Sequence, residues 1–346
     1  MKSFLSILGL LGIPLGLYLA SLLLRGGGTF WGWFGLMIYV AIDLGLFWLS
    51  TYPRRARWAL GVGAGLLLTF VSLRQVRSFP TGSGALYRLP GEGAGSFLGR
   101  LADEMDLGMM SFVAFADVGA TYRPDANRAK SYVRSAYRRM RQDPDFAPIP
   151  TPMLPTMLGM NSPTSFHTLV FNPPPEGRAG RAIVFLHGLG GAQKLPCWLL
   201  ARRMPDALIV CPSVGLRGEW AHDEARPIFE AAFQYARVRS NAVYVIGHDR
   251  GAVGLLHFMN RNLLGHANGV GMISGFNENY FDAIRRSTIP ILNLRGASDE
   301  RTPRYQVEGL ANAHLVRNYE LPGGTFVFYE SEEAVLEHID AFCGAH

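Results

Sequence analysis

The stretch Ala242-Val243-Tyr244-Val245-Ile246-Gly247-His248-Asp249-Arg250-Gly251-Ala252 is the most informative part of this sequence. Its first five residues, rich in Val and Ile, read as a strand buried on both faces. They pass directly into Gly247-His248-Asp249-Arg250-Gly251, and residues suited to a helix continue to Leu264. The pattern is a strand, a sharp turn and a helix. A glycine on each side of the turn relieves the crowding around a strained central residue. Asp249 therefore stands at the tip of the turn.

Working outward, similar apolar runs occur at His167 to Phe171, Ala182 to Leu186, Ala207 to Cys211, Val270 to Ser274 and Ile289 to Leu294. Helical segments are expected at Pro196 to Met204, Asp223 to Arg237, Gly251 to Leu264, Pro303 to Ala313 and Glu332 to Phe342. Alternating strands and helices predict right-handed crossovers and an α/β architecture with a doubly wound, mostly parallel sheet. Ligands of such sheets bind beyond the carboxyl ends of the strands. Two further motifs fall there. The run ending at Leu186 leads into His187-Gly188-Leu189-Gly190-Gly191, whose glycines expose backbone N–H groups. The run ending at Leu294 leads into Arg295-Gly296-Ala297-Ser298-Asp299.

These three motifs, in this order, resemble the α/β-hydrolase superfamily, and most of all bacterial hydrolases of the dienelactone-hydrolase or carboxylesterase kind. The resemblance covers roughly residues 165 to 343. It implies that Asp249 holds the nucleophile position and Asp299 the position of the orienting acid. It also implies an oxyanion hole from the backbone N–H groups of Leu189 and Arg250. His187, Gly188, Trp220 and Thr325 would line the pocket, with the Cys211 to Trp220 loop as a wall. No cofactor and no metal are called for.

Two departures bear on function. Esterases carry Ser where this chain has Asp249. Gly-His-Asp-Arg-Gly is similar to the elbow of haloalkane dehalogenases and epoxide hydrolases, where a carboxylate attacks carbon. Those enzymes also need a histidine to activate water. Here the matching stretch is Leu321-Pro322-Gly323-Gly324-Thr325-Phe326, with Thr325 in the histidine's place. Threonine does not titrate near neutral pH. Among other histidines, His338 sits too far along the last helix, His248 points away from the nucleophile, and His187 has a structural place. His222 is the one substitute base, against a bland place at a helix start beside Asp223. The paired replacement at 249 and 325 points to a degenerate hydrolase serving as an accessory or structural subunit. The alternative is an active ester, epoxide or haloalkane hydrolase using Asp249, Asp299 and His222.

The rest of the chain has another character. Of 346 residues, 49% are hydrophobic and only 17% charged, below the quarter usual in soluble domains. The deficit lies at the start. Up to Leu73 the charged residues are Asp43 against Lys2, Arg25, Arg54, Arg55 and Arg57. Three apolar runs predict transmembrane helices within about 4–24, 29–50 and 58–76, an all-α region preceding the α/β part. Trp31, Trp33, Trp48 and Trp58 fall near their ends, as interfacial rings do. The expected partner is the lipid bilayer, with membrane-protein partners through these helices. Three arginines in the loop before residue 58 favour placing that loop in the cytoplasm and the C-terminal domain outside, although Arg74 and Arg77 argue the reverse. The expected organisation is 1–78 transmembrane, 79–163 linker and amphipathic helices, and 164–346 the hydrolase-fold domain.

Within the middle segment, Asp125 to Arg141 reads as an amphipathic helix. Its basic face is Lys130, Arg134, Arg138 and Arg141; its apolar face is Val133, Ala136, Tyr137 and Met140. Such a helix suits either solvent or an anionic lipid surface. The net charge of +6 comes with no nucleic-acid-binding module, so no nucleic-acid partner is expected. Cys197, Cys211 and Cys343 are expected as buried thiols.

Overall fold

A computed structural model gives the structure of this chain and describes residues 2–49, 51–76, 82–91, 93–94, 97–119, 123–190, 194–215, 218–300, 302 and 315–344. It divides into two compact units, Met1–Phe79 with Arg100–Arg123, and Pro80–Gly99 with Pro124–His346.

In the first unit the three apolar runs form α1 (Lys2–Gly26), α2 (Phe30–Phe47) and α3 (Pro53–Val76). All 3 are long and apolar enough to cross a membrane. The third starts earlier than the apolar run because Pro53, with its fixed φ and no N–H, opens the helix. Arg54, Arg55 and Arg57 consequently lie in its first turns. A fourth helix, α4 (Glu104–Asp117), belongs to this unit. Thr29 caps α2, its side-chain oxygen accepting from the N–H groups of Trp31 and Gly32. The Arg74 guanidinium donates to the carbonyls of Arg100 (3.0 Å) and Ala102 (2.7 Å).

The second unit is built on a 9-stranded sheet. Its strands are β1 (Gly84–Leu89), β2 (Gly93–Ala94), β3 (Phe166–Phe171), β4 (Ala179–Leu186), β5 (Ala207–Pro212), β6 (Ser240–His248), β7 (Gly269–Ile273), β8 (Ile291–Gly296) and β9 (Val316–Leu321). Their spatial order is β2-β1-β3-β5-β4-β6-β7-β8-β9. From β5 to β9 every neighbouring pair is parallel. This is the expected doubly wound, mostly parallel α/β-hydrolase-type sheet. The run at β3 is buried throughout, as read, yet pairs antiparallel with both β1 and β5. Cover on both faces, rather than direction, sets its composition.

The segment 79–163, expected as a linker, is divided between the units. β1 pairs with β3 from Gly84↔Phe171 to Leu89↔Phe166, so the sheet begins 80 residues before 164. The expected amphipathic helix is α5 (Arg123–Gln142), and its face of Ala126, Ala129, Val133, Ala136, Tyr137 and Met140 is buried. That apolar face is therefore used inside the protein and not against lipid.

A short α6 (Met153–Met157) follows, then α7 (Lys194–Arg203), α8 (Ala225–Arg239), α9 (Arg250–Asn260) and α10 (Phe281–Arg285). Two last helices, α11 (Val327–Glu330) and α12 (Glu332–Gly344), end the unit. The core includes Phe229 and Phe258, whose rings stack at 4.4 Å between α8 and α9. Cys197 on α7 and Cys211 on β5 form a disulfide with Cα atoms 6.6 Å apart, contrary to the expectation of separate thiols. Packing of α7 on β5 brings them together. The helix expected at Pro303 to Ala313 lies outside the described residues, as does Gly191.

Candidate functional site

Leu189 follows β4, Asp249 follows β6, Asp299 follows β8 and Thr325 follows β9. These strands are parallel, so their carboxyl ends, and the residues that follow them, share one end of the sheet.

The elbow has the strain that the sequence predicts. Asp249 adopts φ 52° and ψ −116°, a left-handed conformation costly for a side chain with a Cβ. Its backbone is held on both sides. Its N–H donates to the Ile273 carbonyl at 2.9 Å, and its carbonyl accepts from Ala252 at 3.1 Å. The turn requires glycine at 251, where a Cβ would run into the Leu186 carbonyl. It requires glycine at 188 too, where a Cβ would lie 2.8 Å from the Cβ of Asp249. This close approach aims the Leu189 N–H at the Asp249 carboxylate, Oδ2, at 3.1 Å. Arg250 opens α9.

His187 and Trp220 are framework. Nδ1 of His187 lies 2.9 Å from the Gly188 carbonyl and so carries the proton; Nε2 then accepts the Val214 N–H at 3.2 Å. Both nitrogens are engaged, and burial lowers the imidazole to about 4, against the raising influence of the Gly188 bond. The Trp220 indole N–H donates to the His187 carbonyl at 2.9 Å, and its ring is fully buried. Trp220 is thus core rather than pocket wall.

The other side of the site is a cluster of hydrogen-bonded side chains. The Thr325 hydroxyl lies 3.0 Å from Asp299 Oδ1 and 3.0 Å from Asp125 Oδ2. The Thr325 N–H also donates to Asp125 Oδ2, at 3.0 Å. With one hydrogen, that hydroxyl donates to one carboxylate at a time. Asp125 comes from the first turn of α5, and its other oxygen takes the Arg128 guanidinium at 2.7 Å. Arg128 pairs with Glu330, whose second oxygen accepts the Gly324 N–H at 2.7 Å. Asp299 Oδ1 accepts from the Thr302 N–H at 3.3 Å. Asp125, Asp299 and Thr325 are all buried.

Among the described residues, the histidine that reaches this corner is His248, bonded to the Thr325 backbone. His222, the expected substitute base, is solvent-exposed, and its neighbour Asp223 pairs with Arg261 just past the end of α9. Asp249 is at the other end of that helix, whose 11 residues span about 16 Å. The structure does not bring His222 to the elbow. His248 packs its ring against Phe328 and Tyr329 at 5.6 and 6.2 Å. Burial lowers its pKa, opposed by the Asp249 charge, a bond to the Thr325 backbone and Asp299. His338 stacks on Tyr319 at 4.0 Å. The Asp249 carboxylate accepts the Leu189 N–H and also acts electrostatically on the His248 imidazole; among the described residues, no group of His, Cys, Asp and Glu is arranged to hold a metal ion.

Asp125, Arg128 and Glu330 are the site residues that sequence reasoning did not find. The one available signal, an acid in the first turn of an amphipathic helix, says only that a helix begins there.

Similarity to solved structures spans about half of this chain. The lipase-esterase related protein from Clostridium acetobutylicum is 13% identical, over 51% of this chain and 99% of that one, with a TM-score of 0.42. Est1E from Butyrivibrio proteoclasticus is 12% identical over 53% and 96%, with a TM-score of 0.43. The peroxisomal alpha-beta-hydrolase Lpx1 from Saccharomyces cerevisiae is 13% identical over 53% and 83%, with a TM-score of 0.41. No family model and no curated protein matches the sequence.

Proposed function

We propose that this chain is a membrane-anchored protein with an α/β-hydrolase fold and a degenerate catalytic site, acting as an accessory or structural subunit of a membrane assembly. One observation carries the reading. The position of the catalytic base holds Thr325, whose hydroxyl sits between Asp299 and Asp125. A carboxylate nucleophile attacks carbon once and becomes an ester. Release of that ester needs a base to take a proton from water, and a threonine hydroxyl does not supply one.

The second reading, an active hydrolase, draws support from the Asp249–Leu189 contact. The Leu189 N–H at 3.1 Å orients the Asp249 carboxylate at the tip of the elbow, where an attacking carboxylate would meet an epoxide or haloalkane carbon. Purified full-length protein in lipid discs separates the two. The degenerate reading expects no ester, epoxide or haloalkane turnover above background. Multiple turnover that disappears in Asp249→Asn overturns it.

The membrane orientation follows from the same reading. Arg54, Arg55 and Arg57 at the start of α3 are exposed. At the opposite helix ends, Arg25 pairs with Asp117 and Arg74 is spent on two carbonyls. Three exposed arginines in one short segment support a cytoplasmic α2–α3 loop, the bias that the positive-inside rule counts. The Cys197–Cys211 disulfide suits an α/β unit in an oxidising compartment. Reporter fusions after residues 27 and 80 are expected on the outer side and one after 54 inside; the reverse result rejects this orientation.

A further inference from the structure

We propose that α4 is a fourth membrane element, an interfacial helix whose outer face of Leu107, Met110, Ala114 and Val118 lies among lipid acyl chains beside α1. The proposal rests on the membrane reading of α1–α3. Its grounds begin with polarity. Every turn of α4 is apolar on two sides. Met105, Met109, Val113 and Ala116 are buried, and Met109 packs at Gly26 of α1, where a Cβ would lie 3.3 Å from it. Leu107, Met110 and Ala114 are only partly buried, and Val118, just past the helix, is 73% exposed. These residues recur at spacings of three and four, one stripe along the helix. A helix with apolar residues on more than one face suits a core or a membrane. Here the stripe of Leu107, Met110 and Ala114 is bordered by Asp117, whose charge is paired with Arg25.

Two of the charged residues of α4 are buried, and the third, Asp117, borders the stripe and is paired. Glu104 and Asp106 are buried. The Asp106 carboxylate accepts the Thr29 N–H at 2.6 Å and the Thr29 hydroxyl at 2.5 Å, and so grips the cap of α2. Asp117 takes the Arg25 guanidinium through both oxygens, at 2.6 and 2.7 Å. These bonds, near the two ends of the helix, fix its rotation, so the apolar stripe has no freedom to turn inward. The occupant is lipid because the stripe continues an apolar belt. At the same helix ends, Leu24 and Phe30 are each 70% exposed. Length excludes a fourth span. The 14 residues of α4 make about 21 Å against the ~30 Å of a bilayer core. The helix therefore lies along the interface.

Site-directed nitroxide labelling of the full chain in phosphatidylcholine vesicles tests this. Single labels at 107, 110, 114 and 118 are expected to be accessible to oxygen and shielded from a water-soluble nickel chelate. Labels at 109 and 113 are expected to be shielded from both. Access of nickel to the outer positions, at the level of an exposed loop, overturns the proposal. Shielding from both reagents at all four overturns it equally, because protein then covers the face. Labels at Leu17 and Leu68 report on α1 and α3. If those also meet nickel, the membrane reading itself has failed; if they meet oxygen while α4 meets nickel, only the present inference has. A label that blocks assembly at one position leaves three others on the same stripe.

Discussion

On the elbow side of the site, Gly188, Asp249 and Gly251 are fixed by backbone contacts between β4, β6 and α9. On the acid side, Asp299 and Thr325 are fixed by side chains that α5 delivers from far upstream. The first side belongs to the core: altering its glycines drives a Cβ into main-chain atoms. The second belongs to the surface loops after β8 and β9, where a side chain is constrained by the bonds it makes. On the proposed degenerate reading, a residue held only by its chemical duty is free to change once the duty lapses, whereas one held by packing stays. That reading accounts for a strained elbow and a Leu189 donor beside Thr325.

The largest expected effect lies on the elbow side. Trp220→Ala removes a fully buried ring and leaves the His187 carbonyl without its indole donor. The loss is expected to be about 3–5 kcal/mol, read as a fall in thermal midpoint of the α/β unit. A shift of less than 1 kcal/mol would mean that Trp220 belongs to a yielding pocket wall after all, and the contrast between the two sides would lose its basis.

Next comes the acid side. Asp125→Ala leaves the buried Thr325 N–H without its acceptor and removes one of the two carboxylates that hold Arg128, a loss of up to about 3 kcal/mol. Asp125→Asn keeps an acceptor oxygen and is expected to recover most of that. Equal losses in the two variants would show that charge, rather than the hydrogen bond to Thr325, holds α5 to this corner.

How much of this was legible in the sequence depends on the same division. The strands β3 to β8 announce themselves because cover on both faces demands Val, Ile and Leu. β9, Val316-Arg317-Asn318-Tyr319-Glu320-Leu321, lies at the sheet edge with half its residues exposed and reads as loop. β1 stands at the other side of the sheet behind a Gly- and Ser-rich stretch and reads as part of a linker. The elbow is a local motif and needs no partner to be recognised. Asp125 meets Thr325 across 200 residues, and nothing local in either segment encodes that meeting. In α4 the partners of Asp106 and Asp117 are Thr29 and Arg25 of the preceding hairpin, and nothing local to α4 encodes those bonds.

Acid should weaken the elbow side through His187. Burial holds the folded imidazole at about 4, whereas the unfolded value is about 6.5. Between those values the unfolded chain binds more protons, so stability falls as the pH drops. From pH 7 to pH 5 the contribution of His187 is expected to be about 2 kcal/mol. His187→Gln should flatten that part of the profile. An unchanged slope in the variant would mean that the neutral imidazole contributes nothing to the stability of the oxyanion loop.

The smallest expected effect is at the residue with the most chemical potential. Asp249→Asn keeps an oxygen for the Leu189 N–H and keeps the strained backbone, so stability should change by no more than about 0.5 kcal/mol. Asn should also leave any assembly role intact if the carboxylate is a relic. The converse experiment rebuilds the site. Asp249→Ser with Thr325→His restores a hydroxyl nucleophile and a base beside Asp299, and weak hydrolysis of an activated ester is the expected gain. Either change alone should do little, since nucleophile and base act as a unit. Asp125 complicates the repair, because its carboxylate already holds the 325 position and would compete with Asp299 for an imidazole N–H. Adding Asp125→Ala to the pair should therefore raise esterase activity further. If the triple variant is no better than the double, α5 is a bystander, and the acid side was lost through Thr325 alone.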